Sequence, residues 1–346
     1  MGLWSAGKLA NLRGNFRCVE GLSGDMITYY TLVGDRLVRH NGSECHGMPK
    51  DTLWIDLFQP TAEEERLLES IIAVDVPTRE EMAEIEDSSR FYESNGALYM
   101  TTSVVGGIRE HNPTVSEVTC VLTPHWLVTV RYTDLLAFRT FETRTQRGGC
   151  EGRSDQLFVT LMDSVVDRIA DVLEIVQKQL DSLGTSIFRE GPASEKADLQ
   201  EVVKQLGRKN SLLSKLNESL LSISRPLSYF RQGSNGWISD EVKLGMKSVE
   251  RDVRSLSEYQ TKMAGEITFL LDATLGLINI EQNSIIKVFS IAAVLFLPPT
   301  LVGTVYGMNF AHMPELQWLA GYPMALVAMV ISAIIPYYWF KYKGWL

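Results

Sequence analysis

Two uncharged, apolar runs lie in tandem near the C-terminus, 24 residues from Val288 to Ala311 and 25 from Leu316 to Phe340. About 20 mostly apolar residues are enough to carry a helix across a bilayer core. A single run of this kind is compatible with the core helix of a soluble protein. Two in tandem, flanked by Tyr306, Trp318, Tyr322, Tyr337, Tyr338, Trp339 and Trp345, predict a membrane hairpin with an aromatic belt. The expected spans are 286–306 and 321–340, joined by a short loop.

Lysine placement gives the orientation. Lys287 precedes the first span, Lys341 and Lys343 follow the second, and the loop has no lysine or arginine. Positive residues stay on the cytoplasmic side, so the loop faces outward and both termini are cytoplasmic, in the cell (inner) membrane. The first thirty residues lack an apolar core, so no secretory signal is expected.

The first span is more polar than an anchor requires. It carries Ser290, Thr300 and Thr304, a Gly303-xxx-Gly307 pair, and Pro298-Pro299 at mid-span. Small residues allow close helix contact, prolines favour a kink, and polar groups at intervals suit the wall of a wet path. The alternative is that the hydroxyls bond back to their own helix. The second span is more evenly apolar and reads as the lipid-facing helix.

The remaining residues are patterned as a water-soluble α/β region (1–150) and a long-helix and stalk region (151–284), ahead of the membrane segment 285–346. Residues 52–58 read as a strand, 62–72 as a helix capped by Thr61, and 79–86 as a short helix. Residues 90–105 form a hairpin about Asn95-Gly96, and 116–132 a second about Pro124-His125. Helical periodicity begins at Ser154. A second helix is expected from about Ser194 to Ser224, stopping at Arg225-Pro226. Ser239 then caps a helix with no strong breaker before the first span. From Asp240 to Tyr306 it extends about 100 Å at 1.5 Å per residue. A mixed sheet flanked by helices, then long helices running into the membrane, is the expected fold.

Net charge is −9, which disfavours nucleic acid as a partner. The excess lies in Asp51–Glu93, where 13 acids oppose 3 arginines, a local net of −10. Such a stretch is a solvated helical surface or a cation-attracting one. Cys18, Cys45, Cys120 and Cys150 form no CxxC pair, and His40, His46, His111, His125 and His312 are scattered. Neither a zinc site nor a catalytic triad is expected, and no phosphate-binding GxxxxGK[ST] loop appears. The chain is not expected to be an enzyme or to hold an organic cofactor.

Tyr306-Gly307-Met308-Asn309-Phe310 ends the first span, and Met313-Pro314-Glu315-Leu316 follows. With the hairpin, the long helix and the terminal KYKGWL, this resembles the CorA family of magnesium transporters, whose signature is Gly-Met-Asn. The resemblance implies a funnel-shaped homopentamer in the bilayer whose first spans line a central pore. It implies a selectivity filter at Gly307, Met308 and Asn309, with the Asn309 amides ringing the outer mouth. Magnesium sheds water reluctantly, so neutral amide oxygens would hold its hydration shell and release it. Asn283, Ile286, Phe289, Leu297 and Thr300 fall at the family's pore-lining positions. Ile286, Phe289 and Leu297 would form a hydrophobic constriction able to gate by dewetting. Closure by cytosolic Mg²⁺, as regulatory as well as transported ion, would use inter-subunit carboxylates. These are Asp272 and a partner on the short acidic helix, matched to Glu81, with Glu84 as the alternative register. Glu315 in the outside loop either concentrates cations or is a plain loop acid. Magnesium is the expected ion, with cobalt and nickel as further substrates. A zinc transporter of the same fold and a non-conducting membrane-anchored metal sensor are the alternatives.

Overall fold

A computed structural model of the chain describes residues 26–42, 47–107, 113–189, 198–232, 236–309, 313–314 and 318–344. The chain divides into two compact units, Met1–Leu270 and Leu271–Leu346.

The first unit is built on a seven-stranded sheet. Its strands are β1 (Ile27–Val33), β2 (Arg36–Asn41), β3 (Thr52–Phe58), β4 (Phe91–Ser94), β5 (Ala97–Gly106), β6 (Thr114–Leu122) and β7 (Leu127–Arg131). They lie in the order β2-β1-β3-β7-β6-β5-β4. The β3–β7 pair is parallel and the other neighbours are antiparallel. Both faces of β3 are covered, so it reads as a nearly continuous apolar run. Ile55 and Leu57 face helix α1 (Ala62–Ile72), where Leu68 and Ile72 complete a core with Val128 and Val130. Trp54 points the other way, stacked on Tyr30 at 3.9 Å and edge-on to Phe141 of helix α4 (Leu136–Arg147).

Local chemistry sets the short elements. Thr61 and Glu64 form a reciprocal capping box at the start of α1, with the Thr61 N–H donating to Glu64 Oε2 at 2.9 Å. Thr78 and Glu81 repeat it on α2 (Arg79–Met82), which is shorter than the expected 79–86 and is followed by α3 (Asp87–Arg90). Asn95 and Gly96 both have positive φ, 51° and 75°, as a two-residue type I′ hairpin turn requires.

Three long helices complete the unit: α5 (Ser154–Ile187), α6 (Leu199–Gln232) and the first part of α7 (Asp240–Tyr306). Gln177 of α5 donates to Glu266 of α7 at 3.1 Å, and Gln260 of α7 donates to the Leu213 carbonyl of α6 at 3.3 Å. Ser239 caps α7, accepting from the Val242 N–H at 3.2 Å. The expected stop at Arg225-Pro226 is overturned, because α6 continues through Pro226 to Gln232. Leu227 and Phe230, beyond the proline, are fully buried. Burying two such side chains contributes roughly 3–6 kcal/mol, enough to offset the roughly 3 kcal/mol that proline costs a helix.

The second unit holds the rest of α7 and α8 (Gly321–Tyr342). Both helices have the length and composition to cross a membrane, and the apolar window of α7 is entirely unburied. The second span begins at Gly321, so the front of the Leu316–Phe340 run is not helical where it is described. Gly303 lies against α8, since a Cβ there would sit 3.2 Å from Met329 Cε.

Candidate functional site

The site candidates share one rod. Asp272, Asn283, Ile286, Phe289, Leu297 and Thr300 all lie on α7 at successive spacings of 11, 3, 3, 8 and 3 residues. With 3.6 residues per turn, these spacings keep the six within a sector of about 120°. All six are exposed, Phe289 at 72% and Leu297 at 73%. The opposite face carries Leu295, Pro299, Val302 and Tyr306, each partly covered. From Leu295 onward one face of the first span is therefore partly covered within the chain and the other, bearing Leu297 and Thr300, is left open, while residues 281–290 are exposed on every side.

Hydroxyls on the open face are engaged in a specific way. Thr300 Oγ1 donates to the Phe296 carbonyl at 2.7 Å, and Thr304 Oγ1 donates to the Thr300 carbonyl at 2.8 Å. This is the back-bonding to the helix that the sequence reading gave as the alternative to a wet wall. The two functions are compatible. A hydroxyl that has donated its proton inward presents only lone pairs outward, and the water shell of a cation needs acceptors. Pro298 and Pro299 leave the Val294 and Leu295 carbonyls without their usual i+4 donors.

The helix ends at the filter candidates. The Gly307 N–H still donates to the Gly303 carbonyl at 3.0 Å, and the Met308 N–H tightens to Val305 at 3.3 Å. A side chain at 307 would crowd the Gly303 oxygen, 3.1 Å from an ideal Cβ. Asn309 follows, exposed and beyond the last helical turn. Glu315 lies outside the described residues, as do Phe310, Cys18 and Cys45.

The carboxylate candidates differ in their commitments. Asp272 is exposed, and no hydrogen bond or ion pair engages it among the described residues. Glu81 Oε2 accepts from the Thr78 N–H at 2.8 Å and from Thr78 Oγ1 at 2.9 Å, so half of its carboxylate holds α2 together. Glu84 bonds through its backbone, its N–H donating to the Glu81 carbonyl at 3.2 Å and its carbonyl accepting from Arg90 Nε at 2.8 Å, and among the described residues nothing engages its exposed carboxylate. The capping role of Glu81 was readable from the Thr-x-x-Glu spacing. Among the described residues no three His, Cys, Asp or Glu side chains gather closely enough to hold a metal within one chain.

Comparison with known proteins adds an independent line. A family model described as CorA-like Mg²⁺ transporter protein matches residues 49–342. The chain is 31% identical over 324 residues, 93% of its length and 100% of the relative's, to the magnesium transport protein CorA of Salmonella typhimurium. The Escherichia coli K12 protein of the same name matches with the same identity and coverage. Among solved structures, the complete CorA magnesium transporter of Methanocaldococcus jannaschii superposes with a TM-score of 0.73 at 19% identity, covering 94% of this chain and 100% of that one. The ZntB cytoplasmic domain of Vibrio parahaemolyticus is more distant, with a TM-score of 0.56 at 9% identity over 74% of this chain and 99% of that one. At these identities the two structures speak for the fold alone.

Proposed function

This chain belongs to the CorA-like Mg²⁺ transporter family, and on that premise we propose that it conducts Mg²⁺ into the cell through a pore lined by α7. The observation that carries the reading is the exposed stripe from Asn283 to Thr300, whose Leu297–Thr300 end lies opposite the partly covered Leu295, Pro299 and Val302. A stripe carrying Asn and Thr beside Ile, Phe and Leu is poorly suited to lipid. It suits a shared axis with other copies, where polar rungs hold hydrated ions and apolar rungs dewet. A homopentamer in the inner membrane, with both termini cytoplasmic, is the assembly we propose.

Asn309 supplies the mouth. Its amide oxygens accept from the water shell of the ion without replacing it, and Gly307 and Met308 shape the turn that presents them. Cobalt and nickel pass as further substrates. Asp272 supplies one half of a regulatory site between copies, and the short acidic segment of a neighbouring copy supplies the other. The exposed carboxylate of Glu84 and the uncapped oxygen of Glu81 are the two candidates, and the capping bonds favour Glu84. At high internal Mg²⁺ the ion neutralises facing carboxylates and holds the ring closed. When Mg²⁺ falls, their repulsion loosens it.

The test of ion identity is potential-driven uptake into proteoliposomes loaded with a magnesium-sensitive dye, with zinc run in parallel. Magnesium entry with little zinc entry is the expected result. Zinc entry without magnesium would move the protein to zinc transport.

A further inference from the structure

We propose that a cleft of about 210 Å³ in the first unit binds a small organic anion, a carboxylate or phosphate monoester carried on a short apolar body. The cleft is bounded by the end of β5 at Val104–Gly107, the first turn of α4, and α5 around Arg168, with Leu216 of α6 on its wall.

Arg168 is the reason for a charged ligand. It sits on α5 between Val165, Ile169 and Val172, on the seam that packs inward, with 22% of its side chain exposed. A guanidinium so placed is costly unless it is paired and hydrogen-bonded. Its one ion pair among the described residues is to Asp171 at 3.8 Å, a side chain that is itself 67% exposed. No hydrogen bond engages its five donors among the described residues. An apolar side chain would fill that seam at less cost, so the arginine faces the cleft without a matching partner among the described residues.

The rest of the lining agrees. Asp134 also borders the cleft, but Arg139 holds its carboxylate through two nitrogens and Arg131 stands 3.9 Å away. That leaves Arg168 as the surplus charge. Helix α4 begins after Leu135, which has no side chain able to cap, so its first N–H groups add positive potential at the same place. Val104, Val105, Ile169 and Val172 supply the apolar wall. At about 210 Å³ the cleft exceeds the roughly 150 Å³ cavity that accepts benzene, which leaves room for a six-carbon chain with an acidic head.

The probes are hexanoate and hexyl phosphate, with 1-hexanol as the neutral control and inorganic phosphate as the headgroup alone. Saturable binding to the purified full chain in nanodiscs is read by calorimetry and by NMR of carboxyl-labelled hexanoate. The anions bind and hexanol does not. Arg168→Met weakens hexanoate at least tenfold, Arg168→Lys restores part of it, and the exposed control Arg254→Met changes nothing. Nanodiscs of zwitterionic and of anionic lipid separate the natural source. Equal hexanoate affinity in both marks a soluble metabolite, and weaker affinity in anionic lipid marks a competing lipid headgroup, either result supporting the site. Wild type that binds neither anion below about 10 mM, or binds hexanol equally well, overturns the proposal even if Arg168→Met fails to fold. A well-folded Arg168→Met protein with unchanged hexanoate affinity overturns it too.

Discussion

Replacing Arg131 by Met strands a buried carboxylate, and the cost can be worked from the contacts. Asp56 has 6% of its side chain exposed and Arg131 has 13%. Arg131 Nε lies 3.2 Å from both carboxylate oxygens, and its terminal nitrogen donates to Oδ2 at 2.8 Å. Thr129 Oγ1 donates to Oδ1 at 2.7 Å. The guanidinium is also packed over the Phe58 and Phe138 rings, 4.6 and 4.9 Å from their centroids. In Arg131→Met the carboxylate keeps one hydroxyl donor and loses its counter-charge. Removing one partner of a buried pair costs about 3–5 kcal/mol. For a unit running to Leu270, the usual unfolding entropy per residue makes this a fall of roughly 5–9 °C in Tm. The assay is thermal unfolding of the full chain followed by near-ultraviolet circular dichroism, which reports the Trp54–Tyr30 stack. Adding Asp56→Asn removes the stranded charge while leaving an acceptor for Thr129, and recovers at least half of the loss. Melting within 2 °C of wild type, or a double variant no better than the single one, would refute the assignment of this pair as a mutually dependent buried unit.

Three further outcomes follow from named contacts. Thr61→Ala removes the cap of α1 and costs about 1 kcal/mol, measured by chemical unfolding. Burial pushes the Cys120 thiol up to about 12 from an ordinary 9.0. The folded chain therefore holds that proton more tightly than the unfolded chain. The associated stability is whole below the ordinary thiol value and is lost as pH rises towards 12, at up to about 1.4 kcal/mol per pH unit. Cys120→Ala flattens that alkaline slope in a pH series of unfolding curves. Asp272→Ala weakens closure, so Mg²⁺ entry persists when proteoliposomes are preloaded with millimolar Mg²⁺. Wild-type-like inhibition in that variant would exclude Asp272 from the regulatory site.

The parts of the fold that were legible in the sequence had local causes. The Thr61 cap marked the start of α1, Asn95-Gly96 marked the β4–β5 turn, and the breaker-free run from Ser239 gave α7 its observed limits, whereas α2 was expected to run on to 86 and ends at Met82. What went unread lacked such signals or was overridden. α4 begins without a cap, and Thr140, Thr143 and Thr145 bond back to its own carbonyls, so its residues look unhelical in isolation. The β1–β2 hairpin turns at Gly34-Asp35, a usable signal, but its apolar alternation is partial because β2 is a largely exposed edge. Pro226 reads as a stop and is not one, because packing of Leu227 and Phe230 outweighs a local penalty. The candidate site divides in the same way. Helical periodicity places Asp272 through Thr300 on one stripe without any structure. In a single chain that stripe is exposed along its whole length, which is why only the proposed assembly, and not one copy, would give it a partner.

The most direct test of the central claim is uptake of Mg²⁺ into dye-loaded proteoliposomes at an imposed inside-negative potential, wild type beside Asn309→Ala, at matched protein content. The account predicts rapid entry with wild type and loss of nearly all of it with Asn309→Ala, both proteins running as the same oligomer. Equal entry through Asn309→Ala, or no entry through well-folded wild type at low internal Mg²⁺, would contradict it.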